Sequence, residues 1–357
     1  MKVLHVLPRN MRFTVQGATS IDLFTSEIVA ASRYASTTTI LAEAGAGPTL
    51  PGRVVRLPTT SDRGRWIASV AREERPDVVV VQQHAPTAVR LATAIAAPVV
   101  LQKHNFMPGV SGRGPLRWAR RLIKARGLAR LAGIAFVSEA TLAAFRTDWP
   151  GLATPTAVIP NGASFAADYN PMRDLEILVV GRATPDKGLL LAAEAVRAVL
   201  GRHPEWRATF LVSEGDADPA YMAAIQAAAE AAGPRFELRR DVPHAVVQAH
   251  NARAAIAIVP SVWAEPFGRT ALEAHAGGAA LISSGAGGLP EISGPWAHYL
   301  ETVSADSIER ALDALIASPT LRAMLAEKGC ERARMLFSIE SISERLDRFL
   351  DEALERT

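Results

Sequence analysis

The sequence predicts an α/β protein of two domains, each a parallel sheet covered by helices on both faces, and three observations lead there. The chain has 357 residues, more than the roughly 250–300 at which a single core usually stops growing. Short apolar, β-branched-rich runs alternate with longer runs of helical period from one end to the other. The alternation breaks once, at Pro160-Asn161-Gly162-Ala163-Ser164 and the stretch to Arg173, which holds turn formers and no period. Boundaries at 1–165, 166–336 and 337–357 follow, the last piece being a terminal helix.

In the first series, strands are expected at Val3–Leu7, Thr37–Ala42, Val54–Leu57, Val78–Gln82, Val99–Gln102, Ile134–Val137 and Ala157–Ile159. Helices fall between most of them, at Ile21–Arg33, Trp66–Arg75, Pro115–Leu131 and Glu139–Thr147. In the second series, strands are expected at Leu175–Gly181, Thr209–Ser213, Phe236–Arg239, Ala255–Pro260, Ala280–Ser283 and Ala297–Leu300. Its helices are Lys187–Arg202, Pro219–Ala232, Ala245–Asn251, Arg269–Ala276, Ala305–Ala317 and Thr320–Met335. Ile339–Leu354 places Ile342, Leu346, Phe349, Leu350 and Ala353 at helical spacing, so this last helix needs a surface to pack on.

Composition excludes several classes. With 49% hydrophobic and 21% charged residues the chain has material for two ordinary cores and is not disordered. Its single cysteine, Cys330, rules out an internal disulfide and a cysteine-based zinc site, which fits the cytoplasm best. No apolar run reaches the roughly 20 residues that span a bilayer, and Met1–Pro8 reads as a short strand rather than a signal peptide. A soluble or surface-bound protein is expected.

Charge is unevenly spread. Between Asp77 and Glu139 there is no acid, against Arg90, Lys103, Arg113, Arg117, Arg120, Arg121, Lys124, Arg126 and Arg130. One face of the first half should carry a positive field. Within Gly114–Leu131, cations at i, i+3, i+4 and i+7 mix with Trp118, Leu122, Ile123 and Leu128. Two readings stand side by side: a helix that attracts anionic lipid head groups, or one packed on its own sheet with a solvated cationic face. Nucleic acid fits less well, because only one aromatic interleaves with these charges.

The densest chemical signal is Val259-Pro260-Ser261-Val262-Trp263-Ala264-Glu265-Pro266-Phe267-Gly268-Arg269-Thr270-Ala271-Leu272-Glu273-Ala274: a buried strand, a loop, and a helix opening near Gly268. A helix start offers unpaired N–H groups and partial positive charge, which suit a phosphate. Glu273 sits roughly 7–8 Å inside that tip, the depth of a ribose attached to a diphosphate there. An isolated glutamate would ordinarily be a solvated acid, but Glu273 lies in a helix with little polar surface. Val179-Val180-Gly181-Arg182-Ala183-Thr184-Pro185-Asp186-Lys187-Gly188 follows the second domain's first strand, so Arg182 and Lys187 should project from the same sheet edge and neutralise a diphosphate without a metal.

Leu101-Gln102-Lys103-His104-Asn105 ends a first-domain strand; His104 is a satisfied structural residue, a partner for a sugar hydroxyl, or a catalytic ring that polarises a reacting group. Gly17, in the turn after the first strand, stands alone, and Gly45 and Gly47 are followed by prolines, so the triple-glycine dinucleotide fingerprint is missing. Gly285-Ala286-Gly287-Gly288-Leu289-Pro290-Glu291 reads as a flexible turn that could offer backbone N–H groups.

Taken together, Gly181-Arg182 with Lys187-Gly188, Glu265-Pro266-Phe267-Gly268 with Glu273 eight positions on, and Gly287-Gly288-Leu289-Pro290-Glu291 resemble the motif series of retaining, GT-B-fold glycosyltransferases of family 4. The resemblance covers the second half densely. In the first half only Gly17, His104, Val137-Ser138 and Pro160-Asn161-Gly162 match. It implies two Rossmann-like domains facing across a cleft, with the terminal helix crossing back to the first.

It also implies transfer of a sugar, with retained configuration and no metal or resident cofactor, from a UDP- or GDP-linked donor held by the second domain. The acceptor, a glycan or lipid-linked sugar, would be held by the first, as in lipopolysaccharide or polysaccharide synthesis. Arg182 and Lys187 would bind the diphosphate with the N–H groups near Phe267 and Gly268, next to Pro266 and Arg269, and Gly181 and Gly17 would line the donor. Glu273 would hold the ribose, Glu265 the donor sugar, and His104 would lie beside that sugar.

Where the family has a glycine pair, this chain has Gln16-Gly17; where it has Asn-Gly-Ile/Val-Asp, this chain has Asn161-Gly162-Ala163-Ser164. A common methionine and proline are His275 and Ala280. Two rival enzymes are a sugar-nucleotide epimerase or isomerase on the same fold, which would act on the donor alone, and an NAD-dependent oxidoreductase, which lacks its fingerprint here. A silent scaffold would not need the cation pair and both glutamates.

Overall fold

The computed structural model describes residues 1–9, 13, 19–43, 52–57, 63–112, 114–166, 169–215 and 217–356. They form two compact units, 1–162 with 339–357, and 163–338.

In chain order the first unit comprises β1 (Val3–Val6), α1 (Ser20–Ala31), β2 (Thr38–Glu43), β3 (Arg53–Leu57), α2 (Arg63–Glu74), β4 (Val78–Gln82), α3 (Ala85–Ala94), β5 (Val99–Lys103), α4 (Gly114–Leu128), β6 (Gly133–Phe136), α5 (Glu139–Asp148) and β7 (Thr156–Val158). Its strands make one sheet, order β3-β2-β1-β4-β5-β6-β7, and every neighbouring pair is parallel. Strands covered on both faces read as unbroken apolar runs, as in Val78-Val79-Val80-Val81, all buried. Leu4, Val6, Val79, Val81, Leu101, Ile134 and Phe136 build the core beneath α2, α3 and α5. Local sequence sets the helix starts: Thr19 and Asp22 form a reciprocal cap on α1, and Ser138 and Thr141 do the same for α5. Helix α3 was not anticipated from the sequence. It is short, Pro86 stands in its first turn, and among its residues only Ala88 and Leu91 are buried.

The second unit runs β8 (Asp174–Arg182), α6 (Leu189–Arg202), β9 (Arg207–Ser213), α7 (Pro219–Ala232), β10 (Phe236–Arg240), α8 (His244–Asn251), β11 (Ala254–Val259), α9 (Arg269–Gly277), β12 (Ala280–Ser283), α10 (Leu289–Ser293), β13 (His298–Tyr299), α11 (Ala305–Ala317) and α12 (Pro319–Phe337). Its parallel sheet has the order β10-β9-β8-β11-β12-β13. Ile177, Val179, Val196, Phe210, Ile256, Ile258 and Leu312 make its core. Two readings of the sequence need correction. Lys187 does not open a helix, since Pro185–Lys187 is a separate 3-10 turn and α6 starts at Leu189. The glycine run at 285–288 leads straight into α10 rather than forming a free turn.

The last helix, α13 (Ile339–Glu355), belongs to the first unit and packs on α1. Ile342, Leu346, Phe349, Leu350 and Ala353 are all buried, the face that helical spacing marked out. Its polar contacts are specific: Asp347 accepts from Ser32 Oγ at 2.7 Å and from the Arg33 N–H at 3.0 Å, and Ser343 Oγ donates to Ile28 O at 3.1 Å. Gly162 makes the return possible, because a Cβ there would lie 2.8 Å from Ile339 Cα. A Cβ on Gly133 would likewise lie 2.5 Å from the Phe349 ring, so β6 and α13 touch through a glycine. The variant Phe349→Ala leaves a cavity over β6 and is expected to destabilise the first unit by about 3–5 kcal/mol, measured by denaturant unfolding followed with a probe in that unit.

Candidate functional site

Strands β8, β11 and β12 are sheet neighbours and parallel, so the loops after them leave one edge of the second unit, where ligands of such sheets gather. After β8 the chain turns back at once, and Gly188 closes the turn at φ 67°. A Cβ at that position would lie 2.2 Å from Pro260 O, so both the dihedral and the close approach demand glycine. The Val262 N–H donates to Asp186 O at 2.8 Å and ties the turn to the loop after β11. Lys187 is thereby set on Glu265, Nζ to Oε1 2.5 Å, with side chains 17% and 9% exposed. Ser261 Oγ donates to the same oxygen, and Lys187 Nζ stands 5.2 Å from the Trp263 ring centroid. An ammonium and a carboxylate this removed from water each make the other tolerable. Lys187 therefore brings its own counter-charge to the loop edge.

Arg182 differs. Its side chain is 59% exposed, and Asp186 is 3.8 Å away, a weak solvent-facing pair. Gly181 packs β8 against α6, where a Cβ would stand 3.1 Å from Leu189 Cδ1.

Helix α9 starts at Arg269, and the residue before it, Gly268 at φ 108°, has no side chain with which to cap it. Among the described residues the N–H groups of Phe267 and Gly268 have no acceptor. Phe267 is itself buried, edge-on to Phe337. The loop that carries Pro266 is clasped by the next one: Glu265 bridges Gly287, and the Gly288 N–H donates to Glu265 O at 2.8 Å. A Cβ on Gly287 would lie 2.2 Å from Glu265 O. The glycine run is thus a clasp behind the Glu265 loop, and the Gly288 amide is already committed.

One turn into α9, Glu273 is 12% exposed, and its Oε1 accepts from Arg269 Nε at 2.6 Å and pairs with His244 Nε2 at 2.9 Å. Burial opposes its ionisation, but Arg269 and then His244 outweigh it and hold the carboxyl below its ordinary range. Oε2 makes no hydrogen bond among the described residues. Glu265 and Glu273 are therefore both buried, paired carboxylates rather than solvated acids. His244, Ser261 and Trp263 carry part of this arrangement and were not singled out from the sequence. Only the position of Ser261 and Trp263 in the loop beside Glu265 hinted at them.

In the first unit, His104 ends β5 within a polar network that needs Gln82 and Gln102, both fully buried. Gln82 Nε2 donates to Gln102 Oε1 at 3.0 Å and lies 3.3 Å from His5 Nδ1, so its Oε1 faces His104 Nε2 at 2.6 Å. His104 therefore carries its proton on Nε2 and leaves Nδ1 as an acceptor. Burial, then the charge of Lys103, push its pKa down to about 3, which excludes the imidazolium at neutral pH. The two Gln partners follow the apolar runs of β4 and β5 at the strand ends and gave no separate signal.

On α4, Arg117 Nε donates to Val110 O at 3.0 Å, while Arg121 and Lys124 lie over Trp149, 5.3 and 5.0 Å from its ring centroid. Arg120 is exposed. Only Gly127 and Leu128 of this helix are buried, and Leu116, Trp118 and Ile123 are 62%, 66% and 70% exposed. Gly17, Gly45, Gly47 and Arg113 lie outside the described residues. Among the described residues no group of three metal-binding side chains forms, and no helix is long and apolar enough to cross a membrane.

Comparison with known proteins agrees with this architecture. Residues 26–162 match the family described as glycosyl transferase 4-like domain, and residues 164–332 match glycosyl transferases group 1. The chain is thus built of two glycosyltransferase domains of the GT-B superfamily, one following the other. Among curated proteins it is similar to an MMP α-(1→4)-mannosyltransferase of Mycolicibacterium hassiacum, 32% identical over 108 residues, which is 29% of this chain and 26% of that protein. Among solved structures it is similar to the sucrose-phosphate synthase tll1590 of Thermosynechococcus elongatus, with TM-score 0.75, 17% identity and 100% of both chains covered. It is also similar to Anabaena Alr3699/HepE in complex with UDP and glucose, with TM-score 0.74, 17% identity, and 98% of this chain and 99% of that one covered.

Histidine burial makes a prediction about pH. His275, in α9, is fully buried with Nε2 2.9 Å from Ser293 Oγ, and burial with the charge of Arg332 holds its pKa down to about 4; burial alone holds His5 at about 4. Unfolded histidines titrate near 6.5, so between pH 6.5 and 4 the unfolded chain binds more protons and stability drops as pH falls. Each such histidine contributes a slope of about 1.4 kcal/mol per pH unit in that window. The melting temperature should fall steadily from pH 7 to pH 5, and His275→Met should flatten the dependence of the second unit's transition.

Proposed function

We propose that the protein is a retaining, metal-independent glycosyltransferase that moves a sugar from a UDP- or GDP-linked donor to a glycan or lipid-linked acceptor. Synthesis of cell-surface polysaccharide or lipopolysaccharide on the cytoplasmic face of a membrane is the setting it fits. The single observation that carries this is the edge of the second unit, where a buried Lys187–Glu265 pair, the uncapped start of α9 and the clamped Glu273 leave one shared sheet edge. The UDP bound in the Anabaena relative supports a nucleotide donor.

On this reading the diphosphate rests at the N–H groups of Phe267 and Gly268, with Arg182 and Lys187 supplying positive charge as it leaves. Stabilising the charge that develops on a leaving group is usually the largest catalytic contribution. Arg182, being exposed and only loosely paired, is free to swing onto the phosphates. Glu273 Oε2 takes the ribose hydroxyls, and Oε1 stays with Arg269 and His244. Glu265 orients hydroxyls of the donor sugar, and its bonds to Lys187 and Ser261 make it a poor nucleophile. Front-face attack by the acceptor, with the departing phosphate taking the proton, is therefore favoured over a covalent glycosyl-enzyme. His104, neutral and with Nδ1 as an acceptor, receives a hydrogen bond from a sugar hydroxyl rather than donating a proton. An epimerase or isomerase would consume the donor with no acceptor present, which a product assay distinguishes.

Helix α4 supports contact with an anionic membrane, because Leu116, Trp118 and Ile123 are exposed beside Arg117, Arg120, Arg121 and Lys124. Acidic lipids attract such a face with about 1 kcal/mol per cation.

Two measurements test these assignments. Arg182→Ala and Lys187→Ala, made separately, should each lower turnover of the right nucleotide sugar by about 10²–10³-fold. Changes within about threefold for both would overturn the diphosphate assignment, and Arg182, being exposed, separates that effect from folding. At low salt the protein should sediment with phosphatidylglycerol vesicles and not with neutral ones; Arg117→Gln with Arg120→Gln should weaken this by roughly thirtyfold.

A further inference from the structure

The first unit contains a cavity of about 400 Å³ that the reading above does not use. Its size falls in the usual range of small-molecule sites, about 300–1,000 Å³. It opens at the carboxyl edge of the sheet, between Arg9 after β1, the start of α2 after β3, and His84 after β4. Arg9, Arg63 and Arg90 line it together with His84 and Thr87, and none of the described lining residues is a carboxylate.

Each of these groups is in a condition that suits an anion. Arg63 is 7% exposed and held in place: its Nη2 donates to Leu7 O at 2.6 Å and Glu43 lies 3.4 Å from Nε. Nε itself, buried, makes no hydrogen bond. Arg9 and Arg90 have side chains without a hydrogen bond or ion pair among the described residues. The Arg90 guanidinium folds over the start of α2, where a Cβ on Gly64 would stand 2.4 Å from Nη1, so a glycine in the first helical turn makes its room.

His84 caps α3. Its Nδ1 accepts the Thr87 N–H, which places the ring proton on Nε2 as a donor. Burial, followed by the charges of Arg63, Lys103 and Arg9, disfavours its imidazolium, a sign that three cations bear on this spot. Pro86 removes one amide of the α3 start and His84 occupies another, so recognition falls to the side chains. Among the described residues the acid set against this gathering of positive charge is Glu43, committed to Arg63.

We propose that this cavity binds a phosphoryl group, held by Arg9, Arg63, Arg90 and the His84 Nε2–H, and that the acceptor is the phosphorylated molecule it takes. Guanidinium forks match phosphate oxygens in pairs, and a cavity of this size holds more than the phosphate itself. That the bound molecule is the acceptor rests on the glycosyl-transfer reading; the phosphoryl site does not.

Calorimetric titration of the full chain tests it, with glucose 6-phosphate, inorganic phosphate and glucose as probes, and UDP and GDP as controls for the nucleotide site. Glucose 6-phosphate should bind and glucose should not. Arg9→Gln and Arg90→Gln, both at exposed positions, should each weaken that binding about tenfold or more and leave nucleotide binding unchanged.

A lipid-borne phosphoryl group predicts instead that vesicles carrying phosphatidic acid are retained through Arg9 and Arg90 while glucose 6-phosphate is not bound. Equal binding of glucose and glucose 6-phosphate would overturn the site. So would binding unaffected by both substitutions, or no binding of any phosphate probe in solution or on vesicles. Phosphate binding that survives alongside absent turnover of every nucleotide sugar would overturn the transfer reading and leave the site standing.

Discussion

Glu265 is 6% exposed, and a carboxylate so far from water persists only with partners that arrive by folding. Lys187 reaches it because Gly188 permits a left-handed turn that no side chain could occupy against Pro260, and Ser261 completes the arrangement. The same constraint governs Glu273, clamped by Arg269 and His244, and Glu176, buried in β8 beneath His250, Arg253 and Arg207. Apart from the exposed Arg182, these charges of the second unit are thus fixed in advance. Groups held in this way lose little freedom when a ligand arrives, which is what preorganised electrostatic stabilisation requires.

The first unit solves the problem of buried polarity differently. Its central strands carry His5, Gln82 and Gln102 as neutral groups linked through Gln82, with Gln102 Nε2 left without a partner among the described residues, and burial keeps His5 and His104 uncharged. Positive charge is displaced to the rim, on Arg9, Arg90 and the cations of α4, where few acids oppose it. The central strands are thus neutral and the rim cationic, and where Arg63 and Glu43 are buried they are paired.

Much of this was legible in the residues. Parallel strands buried on both faces announce themselves as apolar runs, and Val78–Gln82, Ala280–Ser283, Pro219–Ala232 and Ala305–Ala317 fall where the periodicity puts them. Short helices were harder, since α3 and α10 span only 10 and 5 residues, and α10 hides behind glycines that suggest a turn. Lys187 and Glu265 stood out as residue types near strand ends. Their pairing across 78 positions did not, because it depends on β8 and β11 being neighbours in a sheet whose order differs from chain order.

The sequence alone determined the class of fold, the terminal helix and its buried face, and the residue types at the second sheet's edge. Each of these depends on local period, turn chemistry or a short spacing. Only the tertiary structure decided which charges meet, which histidines are neutral, which amides are spent and where the arginines of the first unit gather. Those outcomes follow from distances between residues far apart in the chain, and a distance of a few ångströms is what separates a paired group from an open one.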